Sequence, residues 1–375
     1  MNRDAVSYAG PGREPACDLP GDRVTIGVIL PLRGAHEAAG RALLEGAQMA
    51  LDEEPASPLP GGRRLVLAAR DESGPWGQAS SEIVRLIFED HAVAVVTSQD
   101  GDITHQAEQV ATKIGVPVLT LSSDATTTEI NLPWIFRLGA SDADEARAFA
   151  QHIYRQRGFK NVLLVAQGDH DGRVGSEEFE KAARRLNAPP PQRLEIPDAP
   201  AEWRGLLERA KSQAPEAIVL WTDSENAAKL LPLVRQGKSL PEVYLSRKAN
   251  ALVTDGAEGA CGSSVLGDED QARIWVTAPR PAGACRAKQD FARRFYARTG
   301  TRPGSAAESA YDAVHIIAAA VRRAGPNRAR LRDALAAGME FPGVTGNIAF
   351  DSAGNDRSDI VVVPLRGSPN AVAHF

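Results

Sequence analysis

The chain has 375 residues, 43% of them apolar and 24% charged, with a formal net charge of -5. That length exceeds what one compact core organises and is enough for two α/β lobes. The acidic balance argues against a broad nucleic-acid surface, and no apolar run approaches the roughly 20 residues a membrane helix needs, so neither nucleic acid nor direct membrane insertion is expected.

Residues 1–21 read as a flexible tail. Gly, Pro and charged residues fill the stretch from Met1 to Pro20 without an apolar core, so it is not a secretory signal as it stands. Export with a signal outside this chain and a cytoplasmic location both stay open. Glu14 stands where a lipoprotein signal wants an aliphatic residue, which argues against lipid attachment at Cys17. From residue 24, short apolar runs alternate with helix-period segments. Residues 24–30 (VTIGVIL) read as a buried parallel strand, followed by a helix over 41–52 with Leu43, Leu44, Ala47 and Leu51 on one face. Residues 65–69 are a second strand, 78–89 a helix built on Ile83, Val84 and Ile87, and 93–96 a third strand. A helix then carries Ala107, Val110, Ala111 and Ile114, and 116–121 (VPVLTL) is a fourth strand. This repeated unit predicts a parallel sheet covered on both faces.

The pattern then starts again. Residues 134–138 form a short strand, 144–156 a helix, and 162–166 (VLLVA) opens a second sheet that continues through a helix at 176–186 and a strand at 217–221 (AIVLW). A helix at 225–236 and a strand at 243–245 follow. The proline run 189–191 and the stretch 197–202 are connecting loops. Helices at 287–298, 306–324 and 328–336 precede a last strand at 360–364 (IVVVP). The fold class is therefore α/β, with two doubly wound parallel-sheet lobes. Ligands on such sheets sit beyond the carboxyl ends of the strands.

No GxSxG elbow, Walker A loop or GxGxxG after the first strand is present, and the seven histidines are scattered, so enzymatic function is not expected. His152 and His315 sit on helices as structural residues. No CxxC or HExxH pattern supports zinc, the D-x-D of Asp100 and Asp102 lacks the rest of a calcium loop, and no cofactor is expected. Cys261 and Cys285 would close a loop worth up to about 3 kcal/mol if bridged; two buried free thiols are the other reading. The turn after the first strand, Pro31-Leu32-Arg33-Gly34-Ala35-His36, lacks the glycine spacing for a pyrophosphate. The other strand-end loops are polar throughout. Thr97-Ser98-Gln99-Asp100-Gly101-Asp102 follows the third strand and Ser122-Ser123-Asp124-Ala125-Thr126-Thr127-Thr128 the fourth. The second lobe offers Asp169-His170-Asp171-Gly172-Arg173, Thr222-Asp223-Ser224 and Ser246-Arg247-Lys248. Each small polar residue suits helix capping taken singly and a binding edge taken together. Trp221 ends a strand, where stacking on a ligand and burial in the core are equally compatible with its position.

The ordered set VTIGVILPL, GAQMALDE, IGVPVLTLSSDATTTEI, IFRLGASD, DHDGRVGSEEF, ESAYDAVHIIAAAV and GVTGNIAFDSAGN resembles the type I periplasmic binding proteins, specifically the leucine/isoleucine/valine-binding family, over about residues 24–365. The resemblance implies two lobes joined by a three-crossover hinge, ligand capture by lobe closure and delivery to an ABC transporter permease, with the protein a periplasmic monomer. It puts the crossovers near Asp142, Val276 and Arg357, giving one lobe of 22–142 plus 277–357 and another of 143–276 plus 358–375. A ligand-sensing regulatory module of the same fold is the main rival.

The same resemblance implies a site of Asp100, Gly101, Asp102, Ser123, Asp124, Ala125 and Thr126 in the first lobe, and Asp171, Trp221, Ser224 and Lys248 in the second. Several positions depart from the family's amino-acid pattern. Asp100-Gly101-Asp102 matches the serines that hold a ligand carboxylate, and Asp124 matches a small residue, while Thr126 is retained. Ala39 matches a frequent aromatic, Asp171 and Ser224 match tyrosines, and Lys248 matches the acid that accepts the ligand ammonium. Like charges about 5 Å apart at an effective dielectric of about 20 repel by roughly 3 kcal/mol. The implied ligand is therefore a small polar molecule, amino acid or amine-like, with its cationic or donor-rich end toward the first lobe and an acceptor toward Lys248.

Overall fold

The computed structural model describes residues 8–55, 59, 61–75, 77–129, 132–236, 240–250, 273–279 and 284–365. Its backbone divides into two compact units, Met1–Ala140 with Pro281–Ser358 and Ser141–Arg280 with Asp359–Phe375.

In the first unit, β1 (Arg23–Leu30), β2 (Arg64–Asp71), β3 (Ala92–Thr97), β4 (Val118–Thr120) and β5 (Ile135–Arg137) form one sheet in the order β2-β1-β3-β4-β5. Each neighbouring pair is parallel. The apolar runs of β1, β3, β4 and β5 are buried on both faces, as parallel strands under crossover helices must be, whereas the edge strand β2 is only partly buried. Ile29, Val95, Val118 and Ile135 pack with Ile83, Leu86, Ala107 and Ala111 of the helices Gln78–Phe88 and Gly101–Ile114. Elsewhere in the unit the helix Glu37–Glu53 packs against the long helix Ser305–Ala324. Gly46 makes that approach possible, since a Cβ there would lie 2.2 Å from the Ala307 carbonyl oxygen.

In the second unit the sequence yields β6 (Val162–Gln167), β7 (Gln192–Ile196), β8 (Ala217–Trp221), β9 (Glu242–Leu245) and β10 (Ile274–Pro279). A two-stranded ladder of β11 (Phe341–Pro342) and β12 (Asn347–Ile348) belongs to the first unit, and β13 (Ile360–Pro364) returns to the second. The second sheet runs β13-β10-β9-β8-β6-β7. Period-2 alternation splits its strands between two cores. Leu163, Val165, Ile218, Leu220, Val243 and Leu245 pack with Trp203, Leu207 and Leu230. Val162, Leu164, Ala166, Val219, Trp221 and Tyr244 pack instead with Phe149, Ile153 and Phe179.

The structure amends the sequence reading at several points. β13 pairs antiparallel with β10, so the second sheet is mostly rather than wholly parallel. β7 lies between the two loops read at 189–191 and 197–202, in a stretch to which the sequence assigned no element, because Gln192, Arg193 and Glu195 put polar side chains on a sheet edge. The helix Trp203–Lys211 was likewise hidden by its polar face. The helix Asp142–Ala150 continues as a π-helical stretch, Gln151–Gln156, whose widened turn buries His152, Ile153 and Tyr154 in succession.

The described part of the N-terminal tail is not loose. Arg13 pairs with Asp333 (Nε–Oδ2 2.5 Å), Arg330 with Asp18 (2.7 Å), and Tyr8 sets its ring 4.7 Å from Trp134. Charged and aromatic anchors on the helix Arg328–Ala336 and on Trp134 order a segment whose composition suggested mobility. The question of a bridge or two free thiols at Cys261 and Cys285 falls outside the described residues.

Candidate functional site

In the first unit the strand order reverses direction between β1 and β3, and the loops at the carboxyl ends of such strands are where a doubly wound sheet exposes ligand-binding groups. The local sequence makes these loops rigid. Asp100 caps the helix Gly101–Ile114 by accepting from the Ile103 N–H at 3.1 Å. Buried hydroxyls run from Thr97 to Thr104 (3.1 Å) and on to Thr120 (2.8 Å), and Thr120 Oγ1 accepts from the Ser122 N–H (3.0 Å). β3, the helix and the end of β4 are thereby tied together.

Asp124 is the centre of this region. It is fully buried, with Oδ1 accepting from the Thr126 N–H (2.8 Å) and hydroxyl (2.7 Å). Its Oδ2 meets His105 Nε2 at 3.0 Å, and its carbonyl oxygen accepts from Arg137 Nη1 at 3.0 Å. His105 Nδ1 meets Glu108 Oε2 at 2.8 Å on the other side. The hydrogen bond to Asp124, then that to Glu108, pushes the imidazole up to about 10, so His105 is a cation at neutral pH. Burial raises the Glu108 carboxyl, against the pull of His105. Arg137 also binds Asn355, which accepts from the Thr128 hydroxyl at 2.6 Å, so the polar cluster is anchored to the segment just before the third passage between units.

In the second unit the reversal falls between β6 and β8. The Asp223 N–H donates to Gln167 Oε1 at 3.1 Å across these two strand ends. Asp169 and Asp223 cap the following helices through the N–H groups of Gly172 (2.8 Å) and Asn226 (2.6 Å). The Ser224 hydroxyl donates to Glu225 at 3.1 Å, and Lys248 forms an ion pair with Asp171.

Each residue expected at the site has a definite place. Gly101, Ser123, Asp124, Ala125 and Ser224 are buried, Asp102 is exposed, and Asp100, Thr126, Asp171 and Lys248 lie between these extremes. The structure gathers Asp124 and Thr126 into one cluster and Asp171 and Lys248 into one ion pair. Two expectations need correction. Asp124 does not present an uncompensated negative charge, because His105 supplies the opposite charge, and Lys248 is likewise matched by Asp171. Trp221 belongs to the core: its side chain is in the Phe149–Phe179 cluster, and its Nε1 donates to Asp142 Oδ1 at 3.2 Å. Sequence reasoning missed His105, whose local signal was the Glu108 partner three residues on.

A periplasmic binding protein family model matches residues 23–359. An amino acid binding protein of Pseudomonas aeruginosa is 23% identical over 233 residues, 62% of this chain; the match also spans 62% of that relative's length. A leucine binding protein from Thermotoga maritima has a similar structure, with a TM-score of 0.78, 20% identity, and coverage of 92% of this chain and 96% of that one. A solute binding protein of an ABC transporter from Rhodopseudomonas palustris, in complex with 3,4-dihydroxybenzoic acid, has a TM-score of 0.78, 16% identity, and coverage of 91% and 93%.

Proposed function

The chain belongs to the periplasmic binding protein family, and from that premise we propose that it captures a small polar solute, an amino acid or an amine-like molecule, outside the cytoplasm and hands it as a monomer to an ABC-type permease. Binding rather than catalysis fits a fold whose related structures are binding proteins. The observation that carries the ligand class is the rigid polar cluster at the β3 and β4 ends, where Asp124, His105, Thr126 and Glu108 combine acceptors with a fixed cation. Such an arrangement suits a ligand carrying both donors and acceptors, because each of its polar groups finds an oriented partner without reorganising the loops. Asp100, Gly101, Asp102, Ser123, Asp124, Ala125 and Thr126 of the first unit, with Asp171, Ser224 and Lys248 of the second, are the proposed contacts.

The test is a thermal-shift and calorimetric panel of L-amino acids, primary amines and aromatic carboxylic acids. A ligand present at 100 times its Kd stabilises by about 2.7 kcal/mol, which is readily measured as a rise in Tm. The expected result is a response to an amino acid or amine. A response confined to aromatic acids, the class bound by one of the similar structures, overturns the ligand assignment.

A further inference from the structure

Ser141, the residue that opens the second unit, caps the helix Asp142–Ala150 through a reciprocal capping box with Asp144. One residue on, Glu145 turns inward and is completely buried. A carboxylate there must have partners to offset its lost hydration, and it has two from different elements. Its Oε2 accepts from the Arg247 N–H at 2.9 Å, and its Oε1 accepts from the Thr277 hydroxyl.

Those partners occupy telling positions. Thr277 lies on β10, which precedes the second passage of the chain between units, and pairs there with Val362 of β13, which follows the third. Glu145 itself follows the first. Arg247 sits between Ser246 and Lys248 in the turn after β9. That turn is closed by the Asn250 N–H donating to the Ser246 carbonyl at 2.9 Å, and its Lys248 pairs with Asp171. One carboxylate thus joins the elements by which the chain enters and leaves this unit to a loop expected to meet ligand.

We propose that Glu145 is a positioning residue that fixes the 246–248 turn against β10, so that solute capture depends on a side chain that does not itself touch the solute. The proposal rests on the reading of Lys248 as a ligand contact. Burial pushes the Glu145 carboxyl up, while the Thr277 hydroxyl and the Arg247 N–H pull it down. An amide at this position still accepts from one partner and can donate to the hydroxyl of the other, whereas alanine serves neither.

The first experiment needs no ligand. Acetic anhydride labelling of the full chain, read by mass spectrometry, compares Lys248 with Lys181. In Glu145→Ala the Lys248 reactivity should rise about fivefold and the Arg247 amide should exchange about tenfold faster, as expected for local opening of one turn, with Lys181 unchanged. Glu145→Gln should restore both. Thr277→Val removes one partner with little change of shape and should give a smaller change in the same direction, which keeps the test usable if the alanine variant folds poorly. The second experiment titrates L-leucine, L-glutamate and L-lysine. Loss of both hydrogen bonds to the buried carboxylate should weaken whichever binds by at least about tenfold in Glu145→Ala and leave Glu145→Gln close to the wild type. Unchanged Lys248 labelling and Arg247 exchange overturn the positioning role. Altered labelling with unaltered affinity overturns its link to capture. A wild-type protein that binds none of the three, with Lys248 labelling still following Glu145, overturns the amino-acid reading while supporting the positioning role.

Discussion

The two units place a histidine in opposite chemical situations. In the first, His105 is gripped by Asp124 and Glu108 and held as a cation, with its titration moved up to about 10. In the second, His152 is buried beside Trp275 (4.4 Å between centroids), with Nδ1 2.9 Å from the Tyr244 hydroxyl. Burial drives it down to about 4, helped by the charge of Arg157 and opposed by that of Glu242. The difference follows from what surrounds each ring: the carboxylates of Glu108 and Asp124 in one unit, aromatic side chains in the core of the other. A histidine's charge here reports its neighbours rather than its own chemistry.

The contrast has a sign that experiment can break. A depressed value means that the unfolded chain binds a proton the folded second unit refuses. Stability from His152 is therefore complete above about 6.5 and is lost as pH falls toward 4, by about 3 kcal/mol at one pKa unit per 1.36 kcal/mol. Urea unfolding at several pH values should show this loss, and His152→Gln should flatten it; an equally steep loss in the variant assigns it to another group. For His105 the order is reversed, with stability complete below about 6.5 and lost as pH rises through about 10.

A smaller effect probes the aromatic side of the comparison. A Cβ at Gly175 would lie 1.8 Å from Trp221 Nε1, so Gly175→Ala must displace a packed indole and should destabilise by about 2 to 3 kcal/mol in chemical denaturation. A neutral outcome would show that Trp221 has room to move and is not locked in the core. The smallest effect tests the polar side. Asp124→Asn keeps an acceptor for Thr126 but removes the charge facing His105, and should cost about 1 to 2 kcal/mol. NMR titration should show the His105 value falling by at least about one unit, each unit being about 1.36 kcal/mol of differential interaction. An unmoved titration would assign the imidazole's charge to Glu108 instead.

How far the sequence could be read followed how local each signal was. Strands buried on both faces, such as β1, β6 and β8, are largely apolar runs and stand out unaided. β7 (Gln-Arg-Leu-Glu-Ile) carries only two apolar residues among five positions at an edge, too short a pattern to be assigned as a strand. The strand-end segments bearing Asp100, Asp124 and Lys248, and the helix start bearing Asp171, were legible because strand ends are chemically marked by polar residues. Their charge balance was not, because Asp124 finds His105 from 19 residues away and Lys248 finds Asp171 from 77. Trp221 was ambiguous for a related reason: its position at a strand end is local information, whereas its place between Phe149 and Phe179 depends on two helices folding over it.

The anchoring of the N-terminal segment bears on how the molecule is handled. A cut at residue 22, which the amino-acid composition invites, would strip Arg13 from Asp333 and uncover part of the Trp134 ring. A fluorophore or surface-attachment handle joined ahead of Tyr8 would depart from the flank formed by the helix Arg328–Ala336. Tension applied through such a handle would first load the Tyr8–Trp134 contact and then the Arg13 and Asp18 ion pairs.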